Sequence, residues 1–294
     1  MGAVRHEIRL KAYAKVNFAL DVVGVRPDGY HELRTVMQSI SLADEVVVER
    51  IGGGFELRVE PENPGIGLRE ENTAYLAWKL LCELHGTVLP VRVTLRKNVP
   101  AGAGLGGGSS DAAAVLRGLD ELFGLGLSTE ESRTAARKIG ADVPFCLGGG
   151  TALAEGVGET LTPAPAPPDH RLLVVKPTRG ADTGRVYRAY DTDPIRSGSS
   201  ADNVLGALRS RDLAALAGAL GNDLAPFTKE ELPEVAELEG RLLEAGAIGA
   251  SMTGSGSAVY GLFRDEEAAG RAREKVGAPF AGVYAPVSRG SEEI

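Results

Sequence analysis

Two rhythms alternate along this chain. Short apolar runs bounded by glycine, proline or polar clusters predict strands, and apolar residues three or four apart predict helices. Glu7–Tyr13 and Leu20–Val25 read as strands on either side of Ala14-Lys15-Val16-Asn17. Val46–Glu49 and Phe55–Val59, separated by Gly52-Gly53-Gly54, read as a hairpin. Helical spacing runs from Asn72 to about His85, with Tyr75, Leu76, Leu80 and Leu84 on the apolar face. Val91–Leu95 is a further strand, and Ser109–Phe123 carries apolar residues at 112, 115, 116, 119, 122 and 123, the spacing of an amphipathic helix. Ser128-Thr129-Glu130-Glu131 is a capping box that opens a helix to about Ile139, ahead of a strand at Thr151–Glu155.

The clearest break is the run TPAPAPP at 162–168. Beyond it the pattern predicts a strand at Leu172–Lys176, a helix at Val186–Tyr190, and helices near Val204–Leu208 and Leu213–Leu220. A helix at Pro233–Ala245, strands at Gly249–Met252 and Ala258–Phe263, a helix at Glu266–Val276 and a strand at Gly282–Ser288 follow. Two β-α-β units of antiparallel character make the second half ferredoxin-like. Segment 191–201 is polar and turn-rich and is expected to be mobile. A length of 294 residues fits one large or two ordinary domains.

Composition narrows the function classes. Hydrophobic residues make up 43% and charged residues 24%, as in ordinary soluble globular proteins. A net charge of −8 argues against a nucleic-acid partner. The sequence shows neither an apolar run long enough to span a membrane nor a leader pattern at its start, so a cytoplasmic protein is expected. Cys82 and Cys146 are expected to be buried, reduced thiols, and the four histidines lack metal-ligand spacing. The 39 glycines, many of them clustered at 102–108, 148–150 and 254–256, point to loops with a task.

The densest cluster is Pro100-Ala-Gly-Ala-Gly-Leu-Gly-Gly-Gly-Ser-Ser-Asp111, which runs straight into the helix at 109–123. A glycine loop feeding a helix start is an anion site, because free amides and the positive end of the helix dipole face the same way. The P-loop of G-x-x-x-x-G-K followed by Ser or Thr fails, since Gly108 stands where lysine belongs. Gly102, Gly104 and Gly107 match the dinucleotide pattern G-x-G-x-x-G, yet Arg96-Lys97-Asn98 separate strand from loop and Asp120 lies on the helix itself. A flexible linker would suit the composition but not a capped helix, for which Ser109 or Ser110 is the candidate N-cap. Asp142 precedes the apolar Val143-Pro-Phe-Cys-Leu147, where a carboxylate is either a helix or turn cap or a base. Lys15, among apolar neighbours, is either an edge lysine or a functional one.

The loop fits a third template throughout: Pro-x-x-x-Gly-Leu-Gly, two Gly or Ser, Ser, then Ser, Asp and Ala. It resembles the phosphate loop of the GHMP kinases, which include galactokinase, homoserine kinase and mevalonate kinase. Segments 12–35, 140–161 and 252–263 are similar to one branch of that family, in the same order, and resemblance extends from about residue 10 to residue 288. Pro27-Asp28-Gly29-Tyr30-His31 discriminates that branch, whose acceptor is a cytidine diphosphate-linked methylerythritol.

The resemblance implies an α+β, two-domain GHMP kinase-like architecture. A ribosomal-protein-S5-like α/β domain is expected at 1–161 and a ferredoxin-like domain at 169–294. It implies ATP and Mg2+ as cofactors and an ATP-dependent phosphorylation of the acceptor's 2-hydroxyl. Lys15 and Asp142 match the catalytic pair. Pro100, Ala101, Gly102, Ala103, Gly104, Leu105, Gly106, Gly107, Gly108, Ser109 and Ser110 match the ATP-phosphate loop, the serine hydroxyls included. Asn17 matches a residue near the transferred group, and Gly254-Ser255-Gly256 a motif that closes over the site. Tyr30 and His31 match the cytidine pocket, Tyr187 an aromatic on the other face of the base, and Thr183 a substrate contact. Asn222-Asp223-Leu224 matches a family element, but Ala225 departs from it and no role is assigned. No dedicated metal carboxylate is expected. The implied partner is a small molecule, with no nucleic acid and no membrane, acting on a monomer or weak homodimer. Competing readings are a sugar or mevalonate-type kinase, a catalytically silent nucleotide-binding regulator and a dinucleotide oxidoreductase.

Overall fold

The computed structural model describes residues 5–61, 69–194 and 201–294. Its first sheet grows from two long antiparallel strands, β1 (Glu7–Val25) and β2 (His31–Arg50). Early in β1, Ile8, Leu10 and Ala12 are buried while Glu7, Arg9 and Lys11 face solvent, as in a strand with one covered face. From Ala12 to Leu20 every residue is buried, because packing covers both faces there. The sequence predicts a break at 14–17, yet the strand runs through. Register shifts between Tyr13 and Lys15 and between Asn17 and Ala19 absorb the irregularity. Lys15 and Asn17 stay inside the sheet because each finds hydrogen-bond partners there.

The hairpin expected at 46–59 does not form. β3 (Phe55–Glu60) pairs in parallel with β4 (Val91–Arg96), and β4 lies between β2 and β3. A parallel pair needs a crossover, which α1 (Thr73–His85) supplies. Phe55 packs on Tyr75 and Trp78 of that helix, with ring centroids 5.4 and 4.6 Å away. α2 (Gly107–Phe123) lies on the same sheet, so close that a Cβ at Gly118 would stand 2.8 Å from Val48 Cγ2. α3 (Thr129–Ile139) starts at the expected capping box, with both reciprocal bonds between Ser128 and Glu131. The apolar stretch after Asp142 is a short helix, α4 (Val143–Gly148). β5 (Thr151–Gly156) then pairs with the first part of β2, and β6 (Thr160–Pro163) with β5.

The second half contains β7 (Arg171–Lys176), α5 (Thr183–Thr192), α6 (Ala201–Ser210), α7 (Leu213–Ala219) and β8 (Gly221–Asn222). α8 (Ala225–Glu231), α9 (Pro233–Glu244), β9 (Gly249–Met252), β10 (Val259–Phe263), α10 (Glu266–Val276), β11 (Phe280–Tyr284) and β12 (Ser291–Glu293) follow. The second sheet has the antiparallel order β11-β7-β10-β9, the arrangement of a ferredoxin-like fold. The last strand of that sheet ends at Tyr284 rather than Ser288, because the chain turns back to the first sheet through a bridge between Pro286 and Ile40. Within the turn-rich segment 191–201, Asp191 and Thr192 end α5 and Ala201 opens α6. The expectation of mobility falls on 195–200, outside the described residues.

β8 and β12 both pair with β1, so the second half completes the edge of the first sheet. The joint is apolar at its centre. Phe18 of β1 lies 6.3 Å from the Tyr260 ring of β10, and the Tyr260 hydroxyl donates to the Asn17 carbonyl at 2.7 Å. Both free cysteines sit in the first half. Cys146 is buried, and burial pushes its thiol well up from the ordinary range, whereas Cys82 is only partly buried.

Candidate active site

The glycine loop leaves β4 through Lys97–Val99 and enters α2. The sequence places the helix start at Ser109, but the helix begins at Gly107 and is capped by Gly106 at φ 72° with no side-chain bond. Ser110 is not the cap; it is buried one turn in, and its hydroxyl donates to the Gly107 carbonyl at 2.9 Å. Ser109 stays partly exposed and lines the cavities on both sides of the loop. The first-turn amides of a helix have no intrahelical acceptor. Capped by glycine, those of α2 keep an open approach.

Two glycines are dictated by close approach. A Cβ at Gly104 would stand 2.1 Å from the Thr253 carbonyl oxygen, and one at Gly106 would stand 3.0 Å from Lys15 Cγ. Both have positive φ, at 71° and 72°. Main-chain bonds fix the loop from two sides: Lys15 N donates to Leu105 O at 2.9 Å, and Ala258 N to Ala103 O at 3.2 Å. The loop is thus wedged between β1 and the Thr253–Ser257 turn of the second half.

Lys15 is 4% exposed, and a buried ammonium must be paired. Its Nζ lies 3.4 Å from Asp142 Oδ2 and donates to Asn17 Oδ1 at 2.9 Å. Asp142 occupies the N-cap position of α4 but makes no side-chain cap bond, so its carboxylate is not committed to the helix. Asn17 is a junction. Its Oδ1 also accepts from Thr253 Oγ1 at 3.1 Å and Gly254 N at 2.9 Å, while Nδ2 donates to Thr35 Oγ1 at 2.8 Å. Those bonds tie Lys15 to the Gly254-Ser255-Gly256 motif.

Two cavities meet at the loop. One of about 360 Å³ is lined by Asn72, Thr73, Lys97 and Pro100–Ser109. The other, about 1000 Å³, holds Lys15, Asn17, Tyr30, His31, Asp142, Thr183, Tyr187 and the 254–256 turn. Gly102, Gly104, Gly106 and Ser109 line both. Tyr30, at the β1–β2 turn, is 65% exposed. Tyr187 stacks on His31 at 4.5 Å between centroids, and burial pushes its phenol well up from the ordinary range. Thr183 Oγ1 is 2.7 Å from Ser255 Oγ, which links α5 to the closing motif.

Other contributors had no role assigned from the sequence. Asn222 Nδ2 donates to Gly254 O at 2.7 Å and Met252 O at 3.1 Å, so the element left without a role buttresses the closing turn. Beneath the loop, Lys97 Nζ donates to both Asp44 and Asp111, and Asp44 Oδ1 accepts from the Asn98 and Val99 amides at 2.6 and 2.8 Å. Lys138 and Arg188 also face the larger cavity, and neither has an ion-pair partner among the described residues.

Comparison with known proteins places this frame. Residues 72–150 match the family described as GHMP kinases N terminal domain, and residues 204–282 match GHMP kinases C terminal. The chain belongs to the GHMP kinase family, the phosphotransferases with this two-domain α+β fold.

Within it, the chain is similar to 4-diphosphocytidyl-2-C-methyl-D-erythritol kinases. That of Acetivibrio thermocellus is 40% identical over 262 residues, covering 89% of this chain and 92% of the relative. That of Pelotomaculum thermopropionicum is 44% identical over 259 residues, covering 88% and 90%. A crystal structure of 4-(cytidine 5'-diphospho)-2C-methyl-D-erythritol kinase matches at a TM-score of 0.79 and 36% identity, covering 95% of this chain and 99% of the other. Mevalonate kinase from L. major shares the fold at a TM-score of 0.72 and 20% identity, covering 95% of each chain.

Proposed function

We propose that this chain transfers the γ-phosphate of ATP to the 2-hydroxyl of 4-diphosphocytidyl-2-C-methyl-D-erythritol, in the non-mevalonate route to isoprenoid precursors. The observation that carries the reading is the Lys15–Asp142 pair, 3.4 Å apart, beside the loop wall that two cavities share. In this reading the smaller cavity takes the nucleotide and the larger takes the acceptor. The α2 amides and the glycine loop hold the phosphate tail, which suits charge and shape because glycine lets the main chain come close. Ser109 adds a hydroxyl there, and Ser110 serves the helix instead.

Asp142 takes the proton of the acceptor hydroxyl as its oxygen bonds to the γ-phosphorus. The bond from that phosphorus to the bridging oxygen breaks, and ADP leaves with the electron pair. Lys15, 3.4 Å from the Asp142 carboxylate, orients it and draws the hydroxyl into line. A positioned base contributes about 10²–10⁴-fold, and alignment with charge stabilisation supplies the rest. Asn17 holds the lysine and the closing motif in register. Among the described residues no group of three His, Cys, Asp or Glu side chains is arranged to hold a metal ion. Mg2+ carried on the ATP phosphates would offset charge on the transferred group.

Among the described residues no helix is long and apolar enough to cross a membrane. A cytoplasmic protein working as a monomer or weak homodimer is the setting we assign. ATP consumption with equal concentrations of 4-diphosphocytidyl-2-C-methyl-D-erythritol, mevalonate, galactose and homoserine tests the reading. Turnover should depend on the cytidine-linked acceptor, and comparable turnover of mevalonate or a sugar overturns it.

A further inference from the structure

One face of α5 encloses the imidazole of His31. Tyr187 stacks on it at 4.5 Å and 34°, and Tyr190 meets it edge-on at 6.0 Å and 82°. Asp191, one turn beyond Tyr187, puts Oδ1 2.7 Å from His31 Nε2. His31 and Asp191 both line the larger cavity. None of the phosphoryl-transfer chemistry involves Asp191.

We propose that Asp191 is a positioning residue that sets the choice of nucleobase, by fixing which nitrogen of His31 carries the proton. An ionised carboxylate accepts hydrogen bonds and cannot donate them. In the neutral ring the proton therefore sits on Nε2, and Nδ1 keeps a lone pair. The two tyrosines hold the ring plane, so that lone pair keeps one direction. Cytosine carries an exocyclic amine, a donor, where uracil carries an oxygen. The amine satisfies Nδ1, whereas the oxygen sets lone pair against lone pair. Sites built to hydrogen-bond one group reject the analogue that lacks it far more strongly than apolar pockets do.

The inference rests on the proposed acceptor, since base choice matters only for a cytidine-linked substrate. Calorimetric titration of the whole protein with CDP and with UDP tests it in wild type, Asp191→Asn and Asp191→Glu. Asp191 is half exposed near the helix end, so the isosteric change leaves the packing intact. An asparagine amide can accept from Nε2–H or donate to a bare Nε2, so it no longer dictates the tautomer. Wild type should favour CDP by about tenfold or more, the scale of one unmatched buried polar group. Asp191→Asn should bring that ratio toward one, and Asp191→Glu should restore it. Nitrogen-15 NMR should show His31 protonated on Nε2 in wild type and a mixture in Asp191→Asn. Equal weakening of CDP and UDP with the ratio unchanged overturns the inference alone. Absence of any CDP preference in wild type overturns the acceptor assignment and the inference with it.

Discussion

Asp111 is a buried carboxyl beneath the glycine loop. It is 2% exposed, shares Lys97 with Asp44, and leaves Oδ1 without a hydrogen-bond partner among the described residues. One ammonium faces two carboxylates. Burial pushes the Asp111 carboxyl up to about 7, with Asp44 adding to the rise and Lys97 opposing it. An unfolded aspartate titrates near 3.9. Between those values the native state holds a proton that the unfolded chain has released, so the contribution of Asp111 to stability is fully present below about pH 4 and is lost as pH rises toward about 7. Three pKa units correspond to about 4 kcal/mol. Asp111→Asn keeps the shape of the neutral acid and removes the titration. Urea unfolding across that range should show the variant gaining on wild type by about 3–4 kcal/mol from acid to neutral pH, then levelling. The difference between the two proteins isolates Asp111, because other groups titrate in both. Parallel stability curves from acid to neutral pH would refute the reasoning.

Two further predictions follow from the loop and the larger cavity. Gly104→Ala drives a methyl against the Thr253 main chain at a left-handed residue, and should cost about 2 kcal/mol or more. ATP affinity measured by calorimetry should fall with it, and wild-type affinity in a folded variant counts against the loop's role. Replacing both Lys138 and Arg188 by alanine should raise KM for the diphosphate-bearing acceptor by about tenfold or more while leaving KM for ATP near its starting value. Steady-state kinetics at low and high salt check this, since the wild-type advantage should shrink with added salt.

Legibility of the fold tracks how local each feature is. The Ser128 capping box, the amphipathic stretch ending at Phe123 and the glycine loop are set by neighbours within a few residues, and the structure keeps them. The order of β2, β4 and β3 depends on where α1 packs, so the Gly52–Gly54 turn read as a hairpin although it leads into a crossover. Lys15 and Asn17 read as an interruption because their partners, Asp142 and Thr253, lie far along the chain. The loop reads as an anion site, and Asp142 and Lys15 as candidates, from the residues themselves; the resemblance pairs the two, and the structure brings them together with the loop at one wall. Asn222 lies in an element matched without a role, and Asp191 and the Asp44–Lys97 pair had no local signature. Each acquires its meaning from a partner supplied by another element. Ser110 shows the converse, since a serine in a phosphate-loop pattern is turned inward by a helix that starts earlier than expected.

The most direct test of the account is single-turnover phosphoryl transfer by Asp142→Asn, with ATP and the cytidine-linked acceptor both bound. The amide keeps the size of the side chain but cannot take a proton, so the transfer rate should fall by about 10²–10⁴-fold. Affinities for both substrates should change little. A variant that binds both and still transfers phosphate at close to the wild-type rate would contradict the assignment of Asp142 as the base beside the shared wall.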